Sequence, residues 1–174
     1  MFRKLYAAIP FGALALAPAP AAGAPVTPTQ QATSNALILV PLTLTKIQDL
    51  RFGTVVPSAL SGVVSINAST GARTVAGGVT GVPSDVGQRA YFGAAGTGNQ
   101  QVIITYVAPA ELTSTTNSAD KIPVLALTLD GSPIRTISPV TRTFFFGIGG
   151  VILINADQPE GLYEANFDVT ANYQ

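Results

Sequence analysis

The sequence predicts an all-β domain, and three observations carry that prediction. From Tyr163 to Tyr173 the chain alternates without a break: Tyr163, Ala165, Phe167, Val169, Ala171 and Tyr173 are apolar or small, and every residue between them is polar. A period of two held this long places one face in a core and the other in water. The middle of the chain is a series of short apolar runs set apart by Gly, Pro, Ser and Asn, with a turn signal about every 8–12 residues. No helical period appears after the N-terminal apolar segment.

That segment comes first in the chain. Arg3 and Lys4 precede an apolar run from Leu5 to Ala17, and small residues follow through Ala24. Charged, apolar and small segments in this order are the layout of a secretory signal peptide, with cleavage expected between Ala21 and Ala24. The run contains Pro10 and Gly12 and falls short of the roughly 20 residues that a spanning helix needs, so no transmembrane anchor is expected. We read residues 1–23 as the signal, 24–35 as a flexible arm and 36–174 as one β-sandwich domain.

The arm is polar and aperiodic. Ala36–Ile47 is the first β-like run, in which Ile38, Val40, Leu42 and Leu44 share a face and Pro41 marks an edge or a break. Leu50–Val56 is a second run, ending at Pro57. Further strands are expected at Gly62–Asn67, Arg73–Val79, Gln88–Ala94, Gln101–Val107 and Ile122–Leu129. Asp130-Gly131 signals a two-residue hairpin into Ile134–Ile137. Arg142–Ile148 carries Phe144, Phe145 and Phe146, Gly149-Gly150 breaks it, and Val151–Ala156 resumes. Tyr163–Tyr173 is the last strand, with Tyr163, Phe167, Val169 and Tyr173 in the core. Many short strands with these turns suggest an immunoglobulin-like sandwich.

Composition narrows the function. Charged residues make up 10% of the chain, against about 25% in ordinary domains. Without Arg3 and Lys4, seven basic residues face nine acidic ones, so there is no basic stripe for nucleic acid and no polybasic patch for anionic lipid. The chain has no Cys and no His. Core packing and strand pairing alone must hold the fold, and the commonest general base and metal ligand are missing.

The remaining chemical motifs are weak. Ser118-Ala119-Asp120-Lys121 has acyl-serine spacing, but it lies in a polar loop beginning at Thr113, without the helix start that the motif requires. Asp157 and Glu160 are the densest carboxylates, and they read as a connection between strands, at a spacing that fits no calcium loop. Gly93-Ala94-Ala95-Gly96-Thr97-Gly98 precedes a strand, whereas a phosphate loop opens a helix, so it reads as a flexible turn. Asn67-Ala68-Ser69 fits a glycosylation acceptor. No catalytic residue, cofactor or metal is expected.

Two stretches carry a resemblance. Pro41–Lys46 with Asp49–Val55, containing L-x-F-G, and Gly149–Leu153 with Gly161–Tyr173, containing G-x-Y-x-x-x-F-x-V-x-x-x-Y, resemble a family of exported bacterial domains without assigned function. That family is similar to the spore coat protein U domain and to archaic chaperone–usher pilins. The resemblance implies an incomplete sandwich filled by a neighbour's N-terminal arm, a form of β-strand addition. It implies as partners other copies or related subunits, a periplasmic chaperone and an outer-membrane usher. On that reading the protein is a subunit of a surface fibre or coat, with Ile38, Val40, Leu42 and Leu44 as donor strand. The alternative is a self-complete secreted module that recognises glycan or matrix through its loops, in which Ile38–Leu44 is the domain's own first strand.

Overall fold

The computed structural model describes residues 30–174. The signal segment, its cleavage point and the first part of the arm lie outside them. The chain divides after Ala36. Residues 30–36 are exposed and form no regular element. All regular structure among the described residues is β-strand, so the expected class holds: an antiparallel β-sandwich.

Eleven strands follow in order: β1 (Thr43–Gln48), β2 (Val55–Ile66), β3 (Arg73–Gly81), β4 (Ala90–Ala95), β5 (Gln101–Val107), β6 (Glu111–Ser114), β7 (Lys121–Leu129), β8 (Ile134–Thr136), β9 (Thr143–Ile154), β10 (Tyr163–Glu164) and β11 (Asp168–Tyr173). Eight of them form one sheet around β9, and β11, β5 and β8 form a second, three-stranded sheet. On one side β9 pairs with β4 along its first half and with β2 along its second. On the other side it pairs with β7.

The core has two parts. Between the sheets, Ala90, Phe92, Leu127, Phe144, Phe146 and Ile148 meet Val102, Ile104 and Ile137, with Val169, Ala171 and Tyr173 packed beside them. Phe146 stacks on Phe92 with ring centres 5.2 Å apart. The second part is Val64, Val79, Ile122, Ile152 and Ile154, covered by Phe52, Val55 and Tyr163 and by no residue of the three-stranded sheet.

Several expected boundaries change for physical reasons. The Gly149-Gly150 break is overturned, since β9 runs unbroken through both residues. The chain leaving β2 crosses Gly149 so closely that a Cβ there would collide with the Ile66 carbonyl, so these glycines permit backbone approach within a strand. Asp130-Gly131 makes no hairpin. β7 belongs to the large sheet and β8 to the small one, so the dipeptide carries the chain across. Asp130 anchors that crossing by accepting from the Gly147 N–H (2.8 Å) and pairing with Arg135 at 2.5 Å. The run from Tyr163 to Tyr173 is two strands in different sheets, separated by Ala165–Phe167. The first strand begins only at Thr43, β2 continues past Pro57, and Glu111–Ser114, expected as polar loop from Thr113, is strand β6.

Phe146 is fully buried, so Phe146→Ala is expected to cost about 3–5 kcal/mol in urea unfolding. Gly149→Ala is expected to lose about 1–3 kcal/mol by overpacking. Val140→Ala, 88% exposed, should stay within about 0.5 kcal/mol.

Candidate functional site

The small sheet is narrower than the face it covers, and a cleft of about 1200 Å³ opens where its cover ends. The floor is core: Ala90, Phe92, Ile122, Leu127, Ile152 and Ile154 line it, each less than a tenth exposed. Leu50–Pro57 forms one wall, Gln158–Phe167 forms the other, and Val169 of β11 continues along it.

The first wall is fixed by a polar knot. Arg73 donates from Nη1 to the carbonyls of Thr54 (2.9 Å) and Asp85 (2.8 Å), and from Nη2 to that of Val82 (2.9 Å). Asp85 accepts from the Thr54 hydroxyl (2.9 Å) and from Arg51. Gly53 and Gly87, both at φ +73°, pack backbone to backbone, with a Cβ on Gly53 only 2.6 Å from the Gly87 nitrogen. The glycine of the L-x-F-G motif is therefore required by contact and by backbone conformation together. The Thr54 hydroxyl, foremost, with the Gly87 N–H and the Arg51 and Arg73 guanidiniums, outweighs burial and holds the Asp85 carboxyl below its ordinary pKa.

The second wall is pinned by Tyr163, whose hydroxyl donates to the Pro159 carbonyl (2.8 Å) and accepts from Gln158 (3.0 Å). Among the described residues β11 pairs with β5 alone and presents its other edge. Gln174 N–H donates to the Gln101 carbonyl, and antiparallel pairing alternates. Asp168, Thr170 and Asn172 therefore face β5, while Val169, Ala171 and Tyr173 turn their N–H and C=O groups to the unpaired side.

The expected site residues separate into groups. Tyr163, Phe167 and Val169 line the cleft, whereas Tyr173 lies at the far end of β11. Leu42 and Leu44 pack on the core between the sheets. Ile38 is 91% exposed and Val40 52%. At the rim Lys46 pairs with Asp49 at 2.5 Å and Arg51 with Asp85 at 3.4 Å, while Glu160 and Glu164 add two further carboxylates to the lining. Ser118-Ala119-Asp120-Lys121 is a surface turn closed by Asn117 and Asp120 (2.8 Å), and its Lys121 pairs with Glu111. Asn67 caps its own turn through the Ser69 and Thr70 amides. Among the described residues no group of three or more acidic, His or Cys side chains is placed to hold a metal. Sequence reading missed the Arg73–Asp85 knot and the cleft; the positive-φ glycine of L-x-F-G was the available signal for the knot.

Fold and site together define an antiparallel sandwich with an apolar cleft between unequal sheets. Residues 42–173 match a domain family of unknown function, DUF4402, and the chain belongs to it. No curated protein and no solved structure matches it.

The lowered pKa gives a pH test. The unfolded carboxyl takes up its proton at higher pH than the folded one, so the contribution of Asp85 is complete above the unfolded pKa and is lost as pH falls through the folded value. Asp85→Asn should lower Tm at neutral pH. The two Tm curves should converge as pH falls below the ordinary carboxylate range, as thermal melts from neutral to acid pH would show.

Proposed function

We propose that this protein is a structural subunit of a bacterial surface fibre or coat, exported through its N-terminal signal and assembled when a segment from one copy's arm adds along β11 of the next. The supporting observation is the cleft beside an unpaired strand edge, floored by core residues. Protein interiors are close-packed, and voids larger than a water are few. The cleft is an open groove with an apolar floor and a polar rim, a shape that suits an extended segment with one apolar face. A strand supplies what the site lacks, with main-chain partners for Val169, Ala171 and Tyr173 and apolar side chains for the floor. Ile38, 91% exposed, is suited to that role at the root of the arm, with Leu37 on the opposite face of the same strand. On this reading a periplasmic chaperone occupies the same edge during transit, and an outer-membrane usher exchanges it for the next subunit.

The packing of Leu42 and Leu44 in their own domain favours the second reading, a self-complete binding module, at those two positions. The readings separate by mutation. One buried side chain contributes about 1.5–3 kcal/mol, one to two orders of magnitude in affinity. Ile38→Asp, which also places a charge on the apolar floor, should therefore abolish denaturant-resistant oligomers on size exclusion while leaving the domain soluble and folded. Leu42→Asp should unfold the domain. A wild-type protein that stays monomeric at high concentration, with its arm intact, would support the module instead.

A further inference from the structure

Three hydrogen bonds converge where the arm enters the sandwich. Val40 N–H donates to Thr97 Oγ1 (2.8 Å), and Val40 C=O accepts from the Tyr173 hydroxyl (2.7 Å). The same phenol oxygen accepts from the Thr97 N–H (2.8 Å). Both main-chain groups of Val40 are thus engaged by its own domain. In a strand added along one edge, alternate residues give both groups to the host, and entry of Val40 into a neighbour would break all of these bonds to its own domain.

The receiving loop is built for this contact. A Cβ on Gly96 would collide with the Tyr173 hydroxyl, and it would stand 2.9 Å from Ile137 Cδ1 and 3.0 Å from Leu42 Cδ1. Of the run expected as a flexible turn, Gly93–Ala95 is the end of β4, and the turn that follows is the receptacle: Gly96 makes room for the phenol, and Thr97 supplies one donor and one acceptor. The Tyr173 ring packs on the core between the sheets, so the hydroxyl is held in place from behind.

Resting on the fibre reading, we propose that the Tyr173–Thr97 clasp is a stop that fixes Val40 as the first residue committed to its own domain, so that only residues ahead of it can enter a neighbour. The stop also links two sites. Tyr173 ends the strand whose Val169 lines the cleft, so the departure point of one arm and the landing edge of the next lie about 13 Å apart along β11. Subunit spacing is then set by the clasp rather than by the arm's length.

The test uses the mature chain and Tyr173→Phe, which removes the hydroxyl and keeps the ring; Thr97→Val is the backup should that variant fail to fold. Limited proteolysis followed by intact mass should leave a wild-type core beginning at or just before Val40. In Tyr173→Phe, trimming beyond Val40 should run roughly tenfold faster. A wild-type core trimmed past Val40, or equal trimming in both proteins, overturns the stop. The chain has no Cys, so paired cysteines report assembly cleanly. With Leu112→Cys in the cleft, Ile38→Cys should form an intermolecular disulfide and Leu42→Cys should not. A crosslink from position 42 overturns the stop. No crosslink from position 38, with the proteolytic boundary intact, sinks the fibre reading and the stop's part in assembly, and leaves Val40 as a domain boundary alone.

Discussion

A mismatch in width between the two sheets governs this structure. Eight strands present an apolar face that three strands have to cover, and they reach only half of it. Over the first half, Val102, Ile104 and Ile137 complete a conventional inter-sheet core. Over the second, Ile122, Ile152 and Ile154 meet no residue of the small sheet; Phe52, Val55 and Tyr163 pack on them, and each isoleucine stays less than a tenth exposed. The hydrophobic effect scales with apolar area removed from water. What an occupant can still bury is therefore the half-buried lining of the cleft, Phe52, Val55, Phe167 and Val169, while the main-chain groups along β11 supply the rest of the attraction.

The walls of the cleft are rigid for reasons independent of any occupant. One Arg73 guanidinium bridges the carbonyls of Thr54, Val82 and Asp85, and two positive-φ glycines allow their loops to touch. A charge-assisted donor shared among carbonyls is stronger than the neutral bonds it replaces. Holding the rim in its open form lowers the ordering entropy that binding must overcome. The unpaired edge of β11 is otherwise a liability, since exposed edges invite uncontrolled pairing. Recessing it beside the cleft restricts that pairing to segments able to fill the floor.

What the sequence could reveal follows from how local each cause is. The alternation of Asp168–Tyr173 was legible because one face of β11 is buried and the other wet. The change of sheet at Ala165–Phe167 was not, because Tyr163 and Val169 face inward on either side of the switch and the period of two survives the crossing. Gly149-Gly150 looked like punctuation, yet its cause is the chain leaving β2, more than eighty residues earlier in sequence. Asp130-Gly131 suits a hairpin or a crossing equally well, and the Gly147 amide and Arg135 decide which. β6 was hidden because Thr and Ser are as common in half-wet strands as in loops. The clasp joins residues 133 positions apart, and the cleft is defined by strands that fail to meet, so neither leaves a local signature.

The absence of cysteine sharpens the consequence of the mismatch. No disulfide ties the two sheets, so the first core cluster joins them, with Tyr173 hydrogen-bonded to Thr97 and Val40, Arg135 to Asp130 and the Tyr106 hydroxyl to the Leu127 carbonyl, and the cleft end is braced by its loops. In the fibre reading an occupant of the cleft contacts both sheets at that weaker end. Anything that binds the folded state and not the unfolded one stabilises it by mass action, about 2.7 kcal/mol at a hundredfold excess over Kd, and a segment supplied by a docked neighbour is present at high effective concentration. Since a domain of this size has only about 5–15 kcal/mol of stability in all, the gain on assembly is a large fraction of the whole. On the fibre reading, the weakly braced cleft end makes the free subunit the less stable form, and the direction of assembly follows from the same shortage of strands that opened the cleft.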